Sequence, residues 1–167
     1  MATLFLTCGV AGSGKTTLAR KLEQERGALR LTGDEWMRRL YPDLPAFAPA
    51  AVRDRVEKLQ FDLALQVLEQ GIDVVVDWGL LGRDERDHYR TQALDRGAKV
   101  VLCLLDPPLA VLRERLEIRN RQVSADTYGI PLAKLEEQFK VFQRPTPQEF
   151  SAFDSDPALS AEGGVRT

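Results

Sequence analysis

The residues best suited to chemistry are concentrated in one run near the start of the chain, Gly9–Thr17, which we call the glycine-rich loop. It fits the pattern G-x-x-x-x-G-K-[ST] at every fixed position, between an apolar segment typical of a strand and the start of a helix. Backbone N–H groups of such a loop can surround a polyphosphate, while Lys15 reaches the β- and γ-phosphates and Thr16 ligates Mg²⁺. The alternative is a strand-to-helix turn without a ligand. We predict a nucleotide phosphate site formed by Gly9, Ala11, Gly12, Ser13, Gly14, Lys15, Thr16 and Thr17.

Two carboxylates follow apolar runs further along the chain. Asp34 could take the proton of an attacking hydroxyl, or it could cap the helix that begins beside it. Position alone leaves these two roles open. Asp77 could hold Mg²⁺ together with Thr16, or it could bond to backbone N–H groups at the start of a loop. The glycine-rich loop favours the metal role for Asp77.

Arginines crowd the end of a later predicted helix, at positions 113, 115, 119 and 121. Such side chains can stabilise charge on a transferring phosphoryl group, or they can lie on a solvated helix face, with Arg113 paired to Glu117. We favour Arg119 as a catalytic residue, because it lies where the helix meets a polar segment, and Arg115 as a nucleotide contact one turn earlier. Arg86 could bind an anionic acceptor, although a solvated position is the simpler interpretation.

Alternating patterns of strand and helix must position these side chains. Apolar runs predict strands at 4–8, 28–32, 72–77 and 99–105, and no strong fifth strand follows. Helices are predicted from residue 17, at 33–41, 51–70, 83–96, 109–119 and 131–142. This alternation predicts an α/β protein in which helices cover both faces of a mostly parallel sheet. Because the carboxyl ends of parallel strands meet at one edge, the glycine-rich loop, Asp34 and Asp77 should be neighbours.

Bulk properties exclude several classes of protein. The chain has 167 residues and a net charge of −2, which fits one domain and argues against affinity for long nucleic acid. Cys8 and Cys103 lie in apolar runs and indicate buried thiols, so we expect a cytoplasmic location. No run reaches the roughly 18 apolar residues that cross a bilayer, no signal peptide is evident, and one histidine makes a zinc site implausible. The oligomeric state stays open.

The motifs together resemble those of the small P-loop kinases. Gly9–Thr17, Thr32–Trp36, Val74–Asp77 and the arginines at 115 and 119 have the order and spacing of that family over roughly residues 3–142. The most similar group is the AAA-type ATP-binding proteins, which include zeta toxins, chloramphenicol phosphotransferase and the 5′-kinase domain of polynucleotide kinase. The resemblance implies a three-layer P-loop NTPase fold with a short lid at about 119–131, ATP with Mg²⁺, and Asp34 as catalytic base. It also gives Arg86 more weight at the acceptor.

We therefore expect a P-loop kinase domain over 1–145 and a loosely ordered C-terminal tail over 146–167. The expected function is transfer of the γ-phosphate of ATP to a hydroxyl of a small-molecule or nucleoside-like acceptor. A polynucleotide 5′-hydroxyl kinase is one alternative, which the acidic balance disfavours. A nucleotide-dependent regulatory ATPase or switch, acting through a protein partner, is another.

Overall fold

A four-stranded parallel sheet forms the centre of the computed structural model, which describes residues 1–43, 50–121, 129–160 and 164–167. The strands lie in the order β2-β3-β1-β4, and each pair of neighbours is parallel. Each strand matches a predicted one, so the sequence-based sheet is confirmed. The strands are β1 (Thr3–Cys8), β2 (Leu29–Leu31), β3 (Val74–Val76) and β4 (Lys99–Leu104).

Helices connect the strands and continue beyond β4. Their bounds agree with the predicted helices to within a few residues, except that the last two were not predicted. The helices of the described residues are α1 (Lys15–Arg26), α2 (Gly33–Leu40), α3 (Ala50–Glu69), α4 (Arg83–Asp95), α5 (Leu109–Arg121), α6 (Leu132–Val141), α7 (Pro147–Phe150) and α8 (Pro157–Ser160).

Alternate side chains of the strands point to opposite faces of the sheet and create two cores. Leu4 and Leu6 of β1 belong to one core, which α3, α5 and α6 cover with residues such as Phe61. Phe5 belongs to the other core, which α1 covers and to which Leu159 of α8 contributes. Helices therefore lie on both faces, and the predicted three-layer arrangement is confirmed.

The segment 146–167, for which the sequence indicated a loose tail, contains α7 and α8 in its described part and bonds to the edge of β4. The Asp154 N–H donates to the Val100 carbonyl at 2.8 Å, and Leu104 exchanges backbone hydrogen bonds with Arg166 at 2.8 and 3.0 Å. Asp154 and Arg166 thus form two isolated β-bridges with β4, and, as the sequence predicts, no fifth strand is present among the described residues. Helices of four residues are too short to show the periodicity from which helices are predicted.

Among the described residues, no helix combines the length and the apolar character that spanning a membrane requires.

Candidate active site

An open cavity of about 1270 Å³ lies at the carboxyl edge of the sheet. The parallel topology predicts that loops after β1, β2 and β3 meet there, and the structure brings together the residues predicted for the phosphate, metal and catalytic positions. The candidates that line the cavity are Gly9, Ala11, Gly12, Ser13, Gly14, Lys15, Thr16, Thr17, Asp34, Asp77, Arg115 and Arg119.

The glycine-rich loop has a backbone shape that only glycine tolerates at two of its positions. Gly14 precedes α1 with φ +107°, in the left-handed region. A Cβ at Gly9 would lie 2.4 Å from the backbone oxygen of Leu105. No side chain caps α1, and its first turn contains no acidic residue, so the N–H groups at this helix end suit an anion.

Lys15 folds back into the glycine-rich loop. Its Nζ donates to the carbonyl of Val10 at 2.8 Å and to Ser13 Oγ at 3.4 Å. Burial lowers the pKa of Lys15, while the charges of Asp77 and Asp34 act in the opposite direction. The ammonium group is thus held in a confined position, close to two carboxylates, where a bound phosphate would add further negative charge.

Asp77 and Thr16 bring two oxygen-bearing side chains together in the cavity. The Thr16 hydroxyl donates to the Asp77 carboxylate, and Thr32 Oγ1 donates to Asp77 Oδ2 at 3.4 Å. Burial raises the pKa of Asp77, opposed by the Thr16 hydrogen bond and by Lys15. A hydroxyl and a carboxylate in contact are ligands that Mg²⁺ accepts, with its remaining positions filled by phosphate oxygens and water. The residues present therefore fit the predicted ion. Over 1–43, 50–121, 129–160 and 164–167 no cluster of three or more His, Cys, Asp or Glu side chains forms a separate metal site.

Asp34 lies in the first turn of α2, and its half-exposed carboxylate receives a hydrogen bond from α3. Arg53 Nη2 donates to Asp34 Oδ1 at 2.7 Å, and Arg53 Nη1 lies 3.5 Å from Glu57 Oε1. Burial raises the pKa of Glu57 to about 7, against the opposing charge of Arg53. Both α3 residues line the cavity, as does Glu85 of α4.

The sequence analysis did not identify Arg53 or Glu57. Their spacing of four residues on a predicted helix was a usable signal, because it puts an arginine and a carboxylate on one helix face. The sequence of the connection that precedes α3 does not predict toward which part of the protein that helix face is directed. Residues 44–49 of this connection lie outside the described structure.

The four arginines at the end of α5 separate into two groups. Arg115 Nη1 lies 3.3 Å from the carbonyl oxygens of Gly12 and Ser13, against the glycine-rich loop. Arg119 lines the cavity, and its buried Nε finds no hydrogen-bond partner among the described residues. A buried guanidinium donor without a partner fits an anionic ligand. The other two form exposed ion pairs, Arg113 with Glu136 and Arg121 with Glu117.

The predicted lid, at about 119–131, is described only at its two ends, because residues 122–128 lie outside the described structure. The side chain of Asn120 joins these ends, since it donates to the Ile130 carbonyl at 2.9 Å and accepts from the Ile130 N–H at 2.8 Å. Beyond the lid, Gln138 Oε1 accepts a hydrogen bond from the Ala11 N–H at 2.7 Å. Gln138 is a further cavity residue that the sequence analysis missed.

Arg86 does not reach the acceptor side of the cavity, contrary to our expectation. It is fully buried, and its Nε donates to Glu149 Oε1 at 2.6 Å. Its Nη1 donates to the carbonyl of Leu80 at 2.8 Å. All of this guanidinium is engaged within the protein, so it cannot bind a substrate.

A model of the family described as "AAA domain" matches residues 4–145 of the chain. A search of curated proteins gave no significant match.

Solved structures share the fold. A chain of the Pnkp1/Rnl/Hen1 RNA repair complex superposes with a TM-score of 0.72 at 20% identity, over 92% of this chain and 46% of that one. A gluconokinase from Sinorhizobium meliloti 1021 gives a TM-score of 0.59 at 22% identity, over 87% of this chain and 78% of that one. Kti12 of Chaetomium thermophilum, in complex with ADP-AlF3, gives a TM-score of 0.69 at 18% identity, over 94% of this chain and 93% of that one. This chain thus spans under half the length of the first of these chains, and the likenesses confirm the predicted fold.

Proposed function

The chain belongs to the AAA domain family and has the fold of the small P-loop kinases, and from this we propose that it is an ATP-dependent phosphotransferase. The acceptor is a hydroxyl of a small-molecule or nucleoside-like compound. The observation that carries the proposal is the assembly of Lys15, the Thr16–Asp77 pair and Asp34 around one cavity.

The proposed reaction assigns a task to each group. Asp34 accepts the proton of the acceptor hydroxyl as the hydroxyl oxygen bonds to the γ-phosphorus of ATP. The bond from that phosphorus to the β–γ bridging oxygen breaks, and ADP leaves with its electron pair. Lys15 and Arg119 stabilise the negative charge on the transferring phosphoryl oxygens, and Arg119 has the free Nε that this role requires.

Thr16 and Asp77 would hold Mg²⁺. The ion would neutralise phosphate charge when bound, and the buried Asp77 carboxylate supplies the negative charge that holds it. Arg53 orients Asp34 through their 2.7 Å contact, so that the carboxylate is directed before an acceptor arrives.

The acceptor side of the cavity supports a small acceptor rather than a nucleic-acid end. Glu57 and Glu85 line it beside Asp34, and Arg53 is already engaged with Asp34 and Glu57. The phosphates that accompany a polynucleotide 5′-hydroxyl would meet these carboxylates, and like charges at close range repel. The chain's likeness to a chain of an RNA repair complex therefore supports the phosphotransferase chemistry more than a polynucleotide acceptor.

A regulatory ATPase is a second candidate, favoured by the likeness to Kti12, which covers nearly the whole of both chains. The two candidates differ in what accelerates ATP turnover. A kinase turns ATP over faster with one hydroxyl compound, whereas a regulatory ATPase responds to a protein partner.

The test is transfer of label from γ-labelled ATP to pooled polyols, hydroxy acids, antibiotics, nucleosides and 5′-hydroxyl oligonucleotides. With the acceptor found, Asp34→Asn should keep ATP affinity and lower transfer by ~10²-fold or more, because the general base is lost. Lys15→Ala should abolish transfer while the fold survives. Asp62→Asn, the same change at an exposed position of α3, is the matched control. Near-native transfer by Asp34→Asn, or loss of its ATP affinity, would refute the assigned role of Asp34.

A further inference from the structure

The order of the strands divides the cavity into two flanks with the glycine-rich loop between them. β1 leads into that loop, and β3 and β2 lie on one side of β1. Asp77 and Asp34 follow these two strands, so both carboxylates belong to the β3 flank. β4 lies on the other side of β1, and the segment Leu105–Pro108 that follows it belongs to the β4 flank.

The β4 flank is mostly apolar. Leu105, Pro107 and Pro108 line the cavity there, together with Leu18 of α1. Val165 also lines the cavity, and it packs on the core cluster that contains Leu18 and Leu105. Apolar surfaces at the open edge of a charged cavity are suited to a flat, weakly polar ligand group.

Val165 comes from a part of the chain that the AAA domain match, which ends at residue 145, does not include. Its position is held by the residue that follows it. The next residue, Arg166, exchanges two backbone hydrogen bonds with Leu104, and its guanidinium lies 4.8 Å from the centre of the Phe150 ring. The preceding residue, Gly164, has φ +101° and also lines the cavity.

We propose that Gly164 and Val165 form the outer wall of the subsite for the nucleoside of ATP. This inference rests on the proposed function, since it takes the bound ligand to be a nucleotide. Transfer requires the γ-phosphate to lie beside Asp34 and Asp77, on the β3 flank. The rest of the nucleotide must then extend from the glycine-rich loop toward the β4 flank, where the base lies between Leu105 and Val165 and gains apolar contact.

The test compares ATP with inorganic tripolyphosphate, which has the phosphates and lacks the nucleoside. The wild-type protein should bind ATP more tightly than tripolyphosphate. Val165→Asp should reduce the ratio of the two affinities about tenfold, because a nucleoside would then cover an ionised carboxylate. Repulsion between that carboxylate and the phosphates acts on both ligands and cancels in the ratio. Val141→Asp, at an exposed valine of α6, is the matched control and should leave the ratio unchanged.

A second variant makes the result independent of charge and of folding. Val165→Ala removes only two methyl groups and should lower the ratio about threefold, with both proteins checked by thermal melting. A ratio that stays within a factor of 1.5 of wild type in a folded Val165→Ala variant, on the order of measurement error, overturns the subsite. Wild-type protein that binds ATP and tripolyphosphate equally overturns it too. Wild-type protein that binds neither overturns the proposed function with it, so the two failures are distinguishable.

Discussion

Two arginine–carboxylate pairs of this protein differ in how much water reaches them. Arg86 and Glu149 are 0% and 2% exposed, and they share two hydrogen bonds at 2.6 and 3.1 Å. Arg53 and Asp34 are 34% and 53% exposed, and a single contact of 2.7 Å joins them. The first pair lies behind the cavity, whereas the second lies within it.

The remaining contacts of each arginine explain the difference. Arg86 also donates to the carbonyls of Leu80 and Gln143, at 2.8 Å each, so its donors are satisfied inside the protein. Leu80 has φ +45°, an uncommon value for a residue other than glycine, and this hydrogen bond helps to hold it. The buried Arg86–Glu149 pair, which we call the sealed pair, is therefore structural. The exposed Arg53–Asp34 pair, which we call the open pair, is accessible from the cavity, and under the proposed function it is the pair that serves the reaction.

The largest effect should come from breaking the sealed pair. Glu149→Leu leaves the Arg86 guanidinium buried without its counter-charge, which costs about 3–5 kcal/mol in the free energy of unfolding. Urea unfolding of the variant and of wild type measures the change. Glu136→Leu, which breaks the exposed Arg113–Glu136 pair, is the matched control and should cost at most about 1 kcal/mol.

A double variant sharpens this comparison. Arg86→Met with Glu149→Leu removes both charges and should recover most of the stability, because well-packed apolar groups commonly replace a buried ion pair without loss. A single Glu149→Leu variant that unfolds at the wild-type urea concentration would show that the pair is not a structural element.

The sequence predicts the cavity at the carboxyl edge of the sheet far better than it predicts the buried Arg86–Glu149 pair. The strand runs and the glycine-rich loop are local patterns, and parallel topology then assembles Lys15, Asp34 and Asp77 at one edge without further information. Arg86 and Glu149 are 63 residues apart, and no sequence pattern around either residue predicts their contact. Their pairing depends on how α7 packs against α4, which a four-residue helix does not reveal in sequence.

The same limit applies to the acceptor side. The period of α3 predicts its apolar face, but the rotation of α3 over the sheet decides whether Arg53 meets Asp34 or solvent. That rotation is set by tertiary packing, so the sequence identified Asp34 and missed its partner. The contribution of Val165 to the cavity also depends on long-range pairing, between Leu104 and Arg166.

The second effect concerns Glu57. Its side chain is 14% exposed, which is more than in the Arg86–Glu149 pair and less than in the Arg53–Asp34 pair. Burial raises the pKa of Glu57 from 4.5 to about 7, so the folded protein retains a proton that the unfolded chain has released. The stability from this proton is complete below about pH 4.5 and is lost as the pH rises through about 7. Glu57→Gln removes this loss, so the variant should gain up to about 3 kcal/mol over wild type between pH 4.5 and pH 8.

Urea unfolding across that pH range measures the gain. Glu69→Gln, at the exposed end of the same helix, is the matched control for loss of a surface charge. A stability difference between Glu57→Gln and wild type that stays constant with pH would contradict the altered titration of Glu57.

The smallest effect on stability should come from opening the exposed pair. Arg53→Met keeps most of the aliphatic stem and removes the guanidinium, so the free energy of unfolding should change by less than about 1 kcal/mol. Phosphate transfer should nevertheless fall about tenfold, because Asp34 loses the contact that orients it. The kinetic assay uses the acceptor found by labelled ATP, and Arg83→Met, which breaks the exposed Arg83–Asp87 pair, is the matched control. If Arg53→Met instead loses several kcal/mol of stability and keeps full transfer, the open pair is structural like the sealed one, and exposure does not separate the two.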